Sequence, residues 1–194
     1  MLQNRYQEVF RWLEDAGVAL PCYNVTEPQP PLQLNENHSL FKLFMNDTGL
    51  LCAACMENVQ FAILNGDVTV NLGSILENMA AQQFRCNGFH LNYYDSKRMG
   101  EIDFVIQNGM KIHLVEIKSG NDYKKHLALE HIRAVAHWKF DKTYVFCKGN
   151  VEADNDVIYL PWYYMMFFRP DELPKGMKYE VDITALSEKD RLDC

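Results

Sequence analysis

"GEIDFVIQNGMKIHLVEIKSG", residues 100–120, has the apolar rhythm of buried strands, yet it carries Asp103, Glu116 and Lys118. Charged side chains are almost never fully buried unless they are paired or bind a metal. Asn108-Gly109 is the strongest short hairpin signal, because a type I′ turn needs two positive φ angles. With those two as turn residues, Gln107 faces Met110, Val105 faces Ile112, Asp103 faces Leu114 and Glu101 faces Glu116. Opposed residues share a face of the sheet, as do alternate residues along a strand. Glu101, Asp103, Val105, Ile112, Leu114, Glu116 and Lys118 are therefore expected on one face. Ile102, Phe104, Ile106, His113, Val115 and Ile117 are expected on the other. Both faces are largely apolar, which predicts interior strands covered on both sides.

This register makes Asp103 a diagonal neighbour of Glu116, with Lys118 aimed at the same end of the hairpin. Two carboxylates that close repel unless something neutralises them. Magnesium, with oxygen ligands at about 2.1 Å, does so. A lysine beside it suits a metal-bound water or the charge developing on a phosphate. The plain alternative is a salt-bridged strand end, with Lys118 pairing to Asp103 or Glu116 near the surface.

The chain around this stretch has 194 residues, 48% hydrophobic and 23% charged, enough for one core without disulfides. Its net charge of −7 argues against a general nucleic-acid coat protein. No run of about 18 apolar residues is present. The N-terminal "MLQNRYQEVFRWLEDAG" is charged throughout, unlike a signal peptide, so a cytoplasmic location is expected. In that compartment the six cysteines are expected as thiols. Cys52 and Cys55 form a lone CxxC with no second ligand pair, and they read as one helical turn in the core rather than a zinc or redox site. No GxxxxGK[ST] occurs, so no nucleotide-binding motif is present.

Outward from the hairpin, "RYQEVFRWLEDAG" reads as a helix stopped by Gly17, with Val9, Trp12, Leu13 and Ala16 as its apolar stripe. "TEPQPP" is a stiff connector. "SLFKLFM" is a strand, broken by "NDTG", with Asp47 capping a short helix through Leu51 and Met56. "NLGSILENMAAQQF" is an amphipathic helix with Asn71 as its cap and Glu77 off the centre of its apolar stripe. "FHLNYY" is a strand, residues 123–138 a helix, and "KTYVFC" and "DVIYL" two more strands. "PWYYMMFF" reads as core or lid packing before it reads as a base-stacking platform. An extension over residues 1–58 and a core over 59–194 are expected to form one compact unit.

Asp103, then a strand-turn-strand, then Glu116-Ile117-Lys118, resembles the signature of the PD-(D/E)XK nuclease superfamily. "WLEDAG", "FKLFMNDTGLL", "GSILENMAAQQF", "YYDSKRMGEIDFVI", "VEIKSG" and "VIYLPWYYMMF" together resemble one branch. That branch is the uncharacterised domain found after the AAA-type ATPase module in many prokaryotic proteins, and the likeness spans residues 12–167. The resemblance implies an α/β, restriction-endonuclease-like core in the order α-β-β-β-α-β, its mixed sheet flanked by helices. It implies Asp103 and Glu116 as metal ligands, Glu77 as the extra acidic residue and Lys118 as the catalytic lysine. It also implies Mg2+ or Mn2+ as cofactor and DNA, with RNA as a second candidate, as substrate. Glu101, Ser119, Lys124 and Lys125 are candidates for supporting or substrate contacts. The competing reading is a nuclease fold kept as a scaffold, docking on an ATPase, another protein or nucleic acid through the aromatic run. An exposed Trp162 and Tyr163 would favour it.

Overall fold

The computed structural model describes residues 2–55, 61, 65–66 and 72–172. Asn71, expected as a cap, and Met56 lie outside them. The elements run α1 (Leu2–Asp15), β1 (Ala19–Val25), a 3-10 turn (Leu32–Asn35), β2 (Glu36–Met45), α2 (Thr48–Cys55), α3 (Gly73–Cys86), β3 (Asn92–Ser96), β4 (Gly100–Asn108) and β5 (Lys111–Ile117). They continue with α4 (Leu127–Arg133), β6 (Lys142–Cys147), β7 (Glu152–Asp154), β8 (Val157–Pro161) and a 3-10 segment (Trp162–Phe167). Eight strands make one mixed sheet in the order β2-β1-β3-β4-β5-β6-β8-β7. The stretch from α3 to β6 runs α-β-β-β-α-β, as expected.

Each face of the sheet has its own apolar layer. Leu76, Ala80, Ala81 and Phe84 of α3 pack against Phe104, Ile106, Val115, Ile117 and Phe146. Leu129 and Ile132 of α4 pack on the other face against Val105, Ile112, Leu114 and Val145. The small pair Ala80 and Ala81 is fully buried and brings α3 close to the sheet. Among the described residues no helix is long and apolar enough to cross a membrane.

The hairpin departs from its expected register by two residues. Val105 faces Leu114 and Gln107 faces Ile112, so the turn residues are Gly109 and Met110. Gly109 alone takes positive φ, at 63°, in the first turn position, which is the type II′ rather than the type I′ arrangement. An even shift leaves faces unchanged, so Val105, Ile112 and Leu114 stay together as predicted.

A second departure does move a face. Between Asn92↔Val105 and Tyr94↔Ile102, β4 spends three residues against two of β3. This bulge inserts one residue and re-aims the side chains before it. Ile102 therefore packs with Tyr94 and Leu129, not with Phe104 as the unbroken alternation predicted.

Other expectations shift in length. Residues 123–138 were expected as one helix, but only Leu127–Arg133 is helical. His126 takes non-helical angles (φ −139°, ψ 57°) at its start. Beyond its end, turns let Trp138 pack edge-on to Tyr94 at 5.5 Å. In α1 the expected stripe is not the buried face, for Val9 and Trp12 are exposed while Phe10 meets Phe41 at 5.1 Å. Gly17, at φ 70°, closes α1 in a Schellman motif, with Gly17 N–H bonding Glu14 and Val18 N–H bonding Leu13. Asp47 caps α2 as expected, its carboxylate accepting from Leu50 N–H at 2.9 Å.

Candidate functional site: a carboxylate and lysine cluster at the bulged hairpin

The register shift carries Asp103 from a diagonal position to one directly across from Glu116, when the pairing Phe104↔Val115 is continued one residue. The bulge lies at this point of β4 and interrupts the ladder there. Asp103 Oδ2 accepts a hydrogen bond from the Ile117 amide at 2.7 Å, which ties the carboxylate to the partner strand. Glu116 is 4% exposed, and Lys118 Nζ lies 2.6 Å from its carboxylate. Lys118 is itself fixed by its backbone: its N–H donates to Phe146 O at 2.9 Å, and its carbonyl accepts from Trp162 Nε1 at 3.1 Å.

Glu77 reaches this place from α3. Asn78, beside it and 2% exposed, donates to Met45 O at 3.0 Å and accepts from Met45 N–H at 2.8 Å. Those bonds pin the end of β2 to the helix. Three residues earlier in β2, Lys42 lies between Glu77, at 3.5 Å, and Glu101, with which it also pairs. Lys42 Nζ also lies 5.1 Å from the centre of the Tyr93 ring.

The electrostatics follow from this crowding. Burial, and then the carboxylates of Glu116 and Glu77, push Asp103 up to about 7, against the pull of the Ile117 N–H and Lys42. Burial also raises Glu116, although Lys118 draws it back. Burial alone would lower both lysines. For Lys118 the Glu116 carboxylate reverses that, helped by Asp103 and Glu77, and holds the ammonium above its ordinary range. Glu101 and Glu77 do the same for Lys42. Both lysines are therefore firm cations near neutral pH, suited to charge stabilisation and not to proton abstraction.

The quartet read from the sequence, Glu77, Asp103, Glu116 and Lys118, is thus brought into one electrostatic neighbourhood. Glu101 joins it, through Lys42 and not from across Glu116. Ser119 is exposed, next in chain to Lys118. Lys124 pairs with Glu152 at 2.6 Å and Lys125 with Asp122 at 3.1 Å, so the structure engages both elsewhere. Cys52 is a half-buried free thiol on α2, in the helical turn expected for it. Among the described residues no group of three or more His, Cys, Asp or Glu side chains is arranged to hold a metal ion. The Glu116 and Glu77 carboxylates are turned to ammonium groups.

Two members were not read from the sequence. Lys42 had a signal: a charge within the apolar run "LFKLF", the same anomaly that marks the hairpin. His126 had none. Its Nε2 lies 2.9 Å from the Tyr159 hydroxyl, and burial and Lys118 hold its pKa below the ordinary value.

The model of one family, described as a domain of unknown function (DUF4143), matches residues 72–165. That span includes Glu77, Asp103, Glu116 and Lys118 and leaves out Lys42. No curated protein and no solved structure matches the chain.

Proposed function

We propose that the chain is a metal-dependent nuclease of the PD-(D/E)XK kind, hydrolysing phosphodiester bonds of DNA, with RNA as the second candidate. The observation that supports this most is the meeting of Asp103 and Glu116 on adjacent strands with Lys118 beside them and Glu77 facing them from α3. The donors are carboxylate oxygens, the set that Mg2+ and Mn2+ prefer. Burial, with Glu116 and Glu77 close by, holds the Asp103 carboxyl well above the usual carboxylate range, a strain that a divalent cation relieves. The donor chemistry suits such an ion, and Asp103, Glu116 and Glu77 are the groups that would hold it once Glu116 and Glu77 turn from Lys118 and Lys42. When bound, the ion would lower the pKa of its water and neutralise phosphate charge.

The chain's own contribution is then clear in chemical terms. Asp103 gives up its proton and stays anchored by the Ile117 amide. Lys118, fixed on both sides of its peptide, brings a permanent positive charge to the reacting phosphate. Lys42 restrains Glu77 and Glu101, keeping the acidic side of the site in place. The half-buried position of the cluster strengthens these charge interactions by keeping bulk solvent at a distance.

The test is incubation with single-stranded, duplex and branched DNA and with RNA, in Mg2+ or Mn2+, beside Asp103→Ala. Metal-dependent cutting by the wild type that falls at least about a hundredfold in the variant is expected. Cutting that survives the substitution would end this reading.

One observation favours the alternative of a docking module on an ATPase or other partner. Tyr163 and Phe167 are 59% and 66% exposed, although Trp162 is only half-exposed.

A further inference from the structure

The parallel strands β5, β6 and β8 end side by side, and in open α/β sheets ligands bind outside the carboxyl ends of such strands. A cavity of about 500 Å³ lies there, inside the range of small-ligand sites. Met79 of α3, Cys147 and Lys148 at the end of β6, and Trp162, Tyr163 and Met166 line it. Trp162 joins it to the carboxylate cluster, its indole N–H donating to the Lys118 carbonyl at 3.1 Å.

The lining has a specific chemistry. Trp162 and Tyr163 offer flat aromatic surface, and Met79 and Met166 offer soft, polarisable contacts. Lys148 stands exposed on the rim, with no ion pair among the described residues. Gln83, also on the rim, donates its side-chain amide N–H to Asn87 Oδ1, and its side-chain carbonyl meets no hydrogen-bond donor among the described residues. A planar, uncharged ring attached to an anion matches this combination. A nucleobase with its phosphate is such a group. A base inside a duplex is not, since its faces are already stacked.

We propose that this cavity takes an unpaired base next to the phosphate held at the carboxylate and lysine cluster, so that the preferred substrate is single-stranded or locally unpaired. The inference deepens the nuclease reading and rests on it. Base stacking on aromatic side chains tolerates any sequence. It is also a short-range attraction, which suits a chain whose net charge of −7 gives no long-range pull on nucleic acid. Lys148, on the rim, adds a cation for a phosphate flanking the stacked base.

The test uses the Asp103→Asn protein, so that binding is read without cutting. Fluorescence anisotropy follows a labelled short single strand and a labelled duplex of the same sequence. The single strand should bind roughly tenfold tighter; Tyr163→Ala should weaken it by about five- to a hundredfold while leaving duplex binding and melting temperature unchanged, and Lys148→Ala should weaken the single strand as well. Equal binding of the two DNAs, no binding of either, or indifference to both substitutions would overturn the proposal. A free nucleoside monophosphate that competes as well as the strand would also overturn it, by making the cavity a mononucleotide site. The two readings fail separately. Tyr163-dependent single-strand binding without wild-type cleavage removes only the nuclease, and cleavage indifferent to Tyr163→Ala removes only the cavity.

Discussion

Asp103 concentrates the physical tension of this molecule. Its carboxyl has an ordinary value of 3.8, and burial beside Glu116 and Glu77 raises it to about 7. A raised acid costs stability when it is ionised in the fold. The folded protein then binds more protons than the unfolded chain between about pH 4 and 7, so this group's contribution worsens as pH rises through that window and is fully unfavourable above it. Asp103→Asn keeps an oxygen for the Ile117 amide and removes the charge. In metal-free buffer it should be more stable than the wild type by roughly 1–4 kcal/mol at pH 8, and nearly equal at pH 4. Denaturant melts of both proteins across that range check this. A constant difference at all pH values would place the strain elsewhere.

At the scale of elements, the site depends on how β2 is held to α3. Asn78 makes that joint with three hydrogen bonds, two to Met45 and one at 2.9 Å to the Thr48 hydroxyl. Asn78→Ala strands the part-buried Met45 amide and carbonyl, at a cost of about 1–3 kcal/mol. Hydrogen exchange at Met45 should accelerate in this variant more than exchange in β5. Uniform acceleration over the whole sheet would instead mean that the joint is no local hinge. The bulge in β4 acts in the opposite direction. It relieves no buried bond but turns Ile102 to the α4 layer and breaks the ladder beside Asp103.

For the whole molecule, the matched span of residues 72–165 does not hold a complete sheet. β1 pairs in parallel with β3 through Tyr23↔Asn92, and β2 pairs with β1. Leu20, Cys22 and Phe44 from these two strands are part of the same apolar layer as Phe84 and Phe104. A fragment of residues 72–172 would lose them and expose the edge of β3, an invitation to pair with other chains. It should show reduced near-ultraviolet circular dichroism and aggregate, whereas the full chain stays dispersed. A well-packed, monomeric fragment would show that β1 and β2 are dispensable. Lys42, on β2, belongs to the carboxylate cluster through Glu77 and Glu101, although it lies outside the matched span.

Much of this was legible in the residues. Alternation in "GEIDFVIQNGMKIHLVEIKSG" was enough to separate the α3-facing from the α4-facing residues from Phe104 onward, because side-chain period in a strand is fixed at two. Charges inside that alternation picked out Asp103, Glu116 and Lys118 as residues that come together, because a charge in a buried strand needs a partner. The sequence also marked Gly17 and Asp47 as helix boundaries, where one residue's backbone freedom or one side-chain oxygen decides the outcome. β1 stayed hidden because Pro21 interrupts it and because its partners, β2 and β3, come later in the chain. Tertiary structure alone decided the turn at Gly109 and Met110, the bulge that re-aims Ile102, and the approach of Lys42 to Glu77. The approach of Lys42 to Glu77 joins segments 35 residues apart, and the turn and the bulge depend on how β4 registers against β5 and β3, none of which a local period encodes.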